Sequence, residues 1–137
     1  MLIDINVLLA LAWPNHQFHA ASRTWFSGQR GEPWSTCAVT QLGFIRISSN
    51  PAFTDQAVTP AEAARLLGLM TEQKEHAFLE SPAQPWRRGV WSSVGGHRQV
   101  TDAHLVAVAR EHGTMLATFD LRLARSTFAD SVVVVPT

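Results

Sequence analysis

Leu2-Ile3-Asp4-Ile5-Asn6-Val7-Leu8-Leu9-Ala10-Leu11 opens the chain, and its reading decides the fold. Leu2 to Ile5 reads as a short buried strand. Val7 to Trp13 reads as a short helix, stopped by Pro14. Asp4 breaks the apolar run, and an ionised carboxylate rarely keeps such company unless it is paired or binds a metal. The run is too short to span a bilayer and lacks a basic segment in front of it. It therefore reads as part of a soluble, cytoplasmic protein rather than as an anchor or leader.

Outward from this stretch the alternation of strand and helix continues. Phe18, Ala21, Trp25 and Phe26 recur at helical spacing. Thr36 to Val39 reads as a strand or its end, and Thr40 to Ser48 as a helix ending near Asn50-Pro51. Thr59-Pro60-Ala61-Glu62 has the form of a capping box with Pro at the first helical position. Ala63, Leu66, Leu67 and Met70 then form that helix's inner face. Ser81 to Gly96, with Pro82, Pro85, Gly89, Gly95 and Gly96, reads as a long surface loop. Thr101 is placed as the cap of a helix running to about His112, with Gly113 closing it. Met115 to Phe119 reads as a strand ending at Asp120, and Val132 to Val135 as a buried final strand. This order predicts an α/β domain with a mainly parallel central sheet, whose ligands sit beyond the carboxyl ends of the strands.

The composition agrees. A chain of 137 residues suits one domain spanning 1–137, and 46% hydrophobic residues suffice for a core. Eleven cations balance eleven anions, which excludes a polybasic binder. Ten of those cations are Arg, with Lys74 the only lysine. Cys37, alone, reads as core filler in a reducing compartment.

The chemistry is carried by polar residues on apolar faces. Asp102 precedes Leu105, Val106 and Ala109 by three, four and seven positions, so its side chain overlies the apolar stripe of its helix. Gln41 stands in the same relation to Phe44, Ile45 and Ser48. Asp120 closes a strand. Each has a plain alternative: Asp102 suits a helix start through the macrodipole, Asp120 can cap a following helix, and Asp4 can form a turn. Together at the ends of one small sheet, Asp4, Asp102 and Asp120 point to a divalent ion, Mg²⁺ or Mn²⁺, held by oxygen. The six histidines show no compact ligand spacing.

With those residues in place, the chain resembles the PIN-domain ribonucleases of the VapC toxin type. The resemblance rests on Leu2 to Leu11, on Thr40-Gln41-Leu42-Gly43-Phe44-Ile45-Arg46 with Ser49-Asn50-Pro51, on Val100-Thr101-Asp102-Ala103-His104-Leu105, and on Ala117-Thr118-Phe119-Asp120. It implies a three-layer α/β/α sandwich and an Mg²⁺- or Mn²⁺-dependent endoribonuclease. It further implies a homodimer, cellular RNA such as tRNA or rRNA as substrate, and a VapB-type antitoxin as partner. It assigns Asp4, Asp102 and Asp120 to the metal and to catalysis, with Asn6 and Thr118 supporting the site by hydrogen bonds. Gln41 stands in the catalytic set where the family commonly has Glu, which removes one negative charge.

The Ser81–His97 loop mixes Trp86 and Trp91 with Arg87 and Arg88, and Arg98 follows it. Arg on phosphate and Trp on unpaired bases suit single-stranded RNA, so Arg87, Arg88 and Arg98 are its expected contacts; the tryptophans equally suit anchoring of the loop. Gln41 also supports a rival, a catalytically weakened domain that holds RNA or antitoxin without cutting. An aspartyl-phosphate enzyme is disfavoured because Asn6 stands where a second Asp is usual. A dinucleotide binder is disfavoured because no Gly-x-Gly-x-x-Gly follows the first strand.

Overall fold

The computed structural model describes every residue from Met1 to Thr137. Strands β1 (Leu2–Ile3), β2 (Trp34–Cys37), β3 (His76–Leu79), β4 (Leu116–Thr118) and β5 (Val132–Val134) form one parallel sheet in the order β3-β2-β1-β4-β5. The helices are α1 (Ile5–Ala12), α2 (His19–Gly28), α3 (Ala38–Ser48), α4 (Pro60–Thr71), α5 (Val100–Glu111) and α6 (Leu121–Ala124). Leu2 is in register with Leu116, and Ile3 with Ala117. Successive side chains of a strand take opposite faces, so each strand feeds two cores. Leu2, Leu116 and Val132 pack with Leu105, Val106 and Ala109 of α5 and Leu123 of α6. Ile3, Trp34 and Ala117 pack with Val7, Leu8 and Leu9 of α1, Phe44 of α3 and Leu67 of α4. The predicted α/β/α layering is the observed one.

Helix α1 buries Val7 through Leu11 without a break. It is apolar on nearly every side because it lies between the sheet and its neighbouring helices. Gly43 lets α3 approach it closely, since a Cβ there would meet Ile5 Cγ1 at 2.8 Å.

Several expected boundaries shift, each for a local reason. The first strand ends at Ile3: the Asp4 amide still donates to the Ala117 carbonyl of β4, but its carboxylate already caps α1 through the Ile5 amide. Helix α3 starts at Ala38, before Thr40, whose hydroxyl accepts from the Cys37 amide. Thr101 does not cap α5: a 3-10 turn over His97–Gln99 runs straight into Val100 and leaves Thr101 inside the helix. Only half the capping box forms at α4. Thr59 accepts from the Glu62 amide, while the Glu62 carboxylate turns to Arg65. Gly113 does close α5, at φ 64°, with the Gly113 and Thr114 amides donating to Arg110 and Ala109. The expected loop holds 3-10 turns at Pro85–Arg87 and Gly89–Ser93. Edge strand β3 has no counterpart in the sequence reading.

Candidate functional site

The strand order reverses between β1 and β4, so a crevice opens where their carboxyl ends diverge, the usual ligand position in such sheets. Asp4 follows β1 immediately. Asp120 stands two residues beyond β4, as the cap of α6, with its Oδ1 accepting from the Arg122 amide at 2.8 Å and the Leu123 amide at 3.3 Å. Asp102 comes from the first turn of α5, held over the crevice because Leu105, Val106 and Ala109 are fully buried beneath it.

Thr118 joins two of these acids. Its hydroxyl donates to Asp4 Oδ2 at 2.6 Å and accepts from the Asp120 amide at 3.2 Å. The other Asp4 oxygen accepts from the Ile5 amide at 2.7 Å. Asp4, only 6% exposed, is thus fixed at both oxygens. Burial nevertheless pushes its carboxyl above the usual range, against those two hydrogen bonds, and the Asp120 charge adds to the rise. Asp102 is pushed up to about 6, first by burial and then by the charges of Asp4 and Asp120, with Arg122 opposing. The three carboxylates therefore repel one another across one crevice.

No three His, Cys, Asp or Glu side chains close round a single point. The donor set still fits Mg²⁺ or Mn²⁺. It offers hard oxygen ligands and three acids opposed by a single exposed guanidinium, Arg122, and Mg²⁺ commonly takes one or two carboxylates with water and phosphate completing its shell.

Gln41 is furnished differently. Its amide nitrogen donates to Thr36 Oγ1 at 3.0 Å, and Thr36 Oγ1 lies 2.9 Å from His76 Nε2. With Gln41 donating, the Thr36 proton is left for His76 Nε2. Burial holds the His76 ring below its ordinary pKa, which suits this acceptor role. Asn6 is exposed and makes no side-chain hydrogen bond to the acids, unlike Thr118.

Asp102 and Asp120 open onto a cleft of 650 Å³, also lined by His97, Arg98, Arg122 and Thr127, while Asp4 lies buried behind them. Arg98 is therefore in the cleft wall. Arg122 escaped the sequence reading, although it lies only two residues past Asp120; its Nε is 3.6 Å from Asp120 Oδ1. Arg88 corrects an expectation. Its guanidinium bonds Ser81 and Glu111, the latter at 2.8 Å, and is only 11% exposed. It ties the loop to α5 and is not free for phosphate. Arg87 stacks its guanidinium 4.9 Å over the ring of exposed Trp86. Trp91 donates to the Pro85 carbonyl and packs against the core, so it anchors the loop.

The geometry can be set beside known proteins. A family model described as PIN domain matches residues 1–129. Ribonuclease VapC39 of Mycobacterium tuberculosis is 42% identical over 97% of this chain and 97% of its own. Ribonuclease VapC38 of the same organism is 41% identical over 87% of this chain and 84% of its own. Ribonuclease VapC29, also from that organism, is 34% identical over 100% of this chain and 97% of its own. No helix is long and apolar enough to cross a membrane.

Proposed function

The chain belongs to the PIN-domain family, and on that premise we propose that it is a Mg²⁺- or Mn²⁺-dependent endoribonuclease of the VapC toxin type. The observation that carries this reading is the convergence of Asp4, Asp102 and Asp120 at the β1–β4 crevice, with Thr118 joining Asp4 to Asp120. The reading takes residues 1–137 as one PIN domain acting on tRNA or rRNA in the cytoplasm. A VapB-type antitoxin and a second copy of the chain are its partners.

In this reading Asp4, Asp102 and Asp120 hold the divalent ion. When bound, the ion supplies Lewis-acid polarisation of a phosphate and a water made acidic enough to attack in line. Thr118 and the Ile5 amide orient Asp4, so that acid needs no rearrangement. Asp102 must give up the proton that burial and its neighbours favour, and it does so as pH rises past about 6. Arg98, on the cleft wall, contacts the RNA phosphates, and exposed Trp86 with Arg87 offers a stacking surface for unpaired bases.

A second reading, an RNA- or antitoxin-holding domain that cuts weakly, is favoured by one feature. Gln41 is neutral, and its amide nitrogen is engaged by Thr36.

One experiment separates the two. The purified chain is incubated with total tRNA in Mg²⁺, Mn²⁺ or EDTA, alongside Asp4→Asn and Asp102→Asn. Cleavage is expected only with metal, leaving 5′-phosphate and 3′-hydroxyl ends, and falling at least about a hundredfold in each variant. Ends bearing 2′,3′-cyclic phosphate, or cutting that survives EDTA, would overturn the proposed chemistry. Binding of tRNA without cutting would favour the second reading.

A further inference from the structure

Arg122 pairs with Asp120 and lines the same cleft as Asp102. Its Nε stands 3.6 Å from Asp120 Oδ1, and it opposes the charge crowding at Asp102. Its side chain is 86% exposed, so charge rather than packing keeps it there. Such a contact is weak and easily exchanged. Arg98 lines the same cleft and makes no ion pair, while Arg65, Arg88 and Arg110 are each committed to an acid elsewhere.

We infer that Arg122 is an exchangeable counter-ion of the acid rim: it pairs with Asp120 until a divalent cation takes that acid, and it is then released to hold a phosphate of single-stranded RNA. The exchange follows from charge. A guanidinium and a divalent cation on one carboxylate repel each other, and the guanidinium, being long and unpacked, is the group that leaves. Once free, its planar fork matches two phosphate oxygens beside Arg98. This role rests on the ribonuclease reading above and adds to it a residue that serves both cation and substrate.

The test reads two binding events with the full chain. Mn²⁺ binding is measured by calorimetry without RNA. Binding of a short, labelled, mixed-sequence single-stranded RNA is measured in Mn²⁺ across a salt series, by rapid-mixing anisotropy read before cleavage. Arg122→Gln is expected to tighten Mn²⁺ about two- to fivefold by removing the competitor. The same variant should flatten the slope of log affinity against log salt by about 0.7, the value for one phosphate contact on a single strand. Arg125→Gln, an exposed arginine outside the cleft lining, should change neither. Damage to the fold would weaken both, so opposite signs identify the exchange. If either measurement matches wild type, or both weaken, the inference fails. Wild-type protein that binds no Mn²⁺ or no RNA would instead overturn the ribonuclease reading on which it rests.

Discussion

The carboxyl ends of β1 and β4 and that of β2 lie side by side in one parallel sheet, yet they are furnished in opposite ways. The β1–β4 side gathers Asp4, Asp102 and Asp120, whose charges oppose one another. The β2 side carries a neutral chain in which Gln41 donates to Thr36 and Thr36 reaches His76. The neutral side is held by hydrogen bonds within the protein and carries no opposed charges. On the acidic side, burial and like charge favour a proton, an arginine or a metal ion at the carboxylate oxygens. A folded protein keeps such crowded charge where it does chemistry more readily than where it holds structure.

The largest effect expected from disturbing this contrast is at Thr118. Thr118→Val keeps the shape but removes the donor to Asp4 Oδ2 and the acceptor for the Asp120 amide. Mn²⁺ affinity, followed by calorimetry, should fall about 10–100-fold, as for other partners that orient metal ligands. Unchanged affinity would show that Asp4 needs no such support.

A smaller effect is predicted for Asp102→Asn. The folded protein holds the Asp102 proton up to about 6, against an ordinary value of 3.8. Raising pH through that window therefore costs stability, and the penalty is fully present above it. In EDTA at neutral pH, Asp102→Asn should be more stable than wild type by about 1–2 kcal/mol, after allowing for solvent screening of a half-buried group. The gain should vanish below about pH 4 in urea titrations, and saturating Mg²⁺ should reverse the order by stabilising wild type alone. Equal stability at every pH would mean the carboxylates are not in conflict.

The smallest effect tests the neutral side. Gln41→Glu replaces the donor to Thr36 with an acceptor, so the Thr36 hydroxyl turns to the new carboxylate and His76 must donate instead. The His76 ring should then titrate higher than in wild type by NMR, with a stability change of about 0.5–1.5 kcal/mol or less. A His76 titration that does not move would break the Gln41–Thr36–His76 chain. A simultaneous gain in Mn²⁺ affinity would bring position 41 into the acid site.

Much of this was legible along the chain. Asp4, Asp102 and Asp120 stood out because each interrupts or overlies an apolar run, and that pattern survives folding. Strand β3 was invisible for the complementary reason: it is an edge, its Ala77 and Phe78 are exposed, and it lacks the buried signature of its neighbours. The pairing of Arg88 is not legible in the sequence because its partner, Glu111, lies 23 residues away, and no local pattern distinguishes a paired arginine from a free one. The place of Arg122 is not legible either, because only folding brings it into one cleft with Asp102 and Arg98.

By itself, then, the sequence determined the alternation of strand and helix, the buried faces and the three acids, because periodicity and burial are written residue by residue. Tertiary structure alone decided the rest. It set the strand order that brings Asp4 beside Asp120, the Thr118 bridge between them, the removal of Arg88 and the placing of Arg122 in the cleft. Those facts are distances between residues far apart in the chain, and electrostatics and hydrogen bonding depend on distance in space, not on separation in sequence.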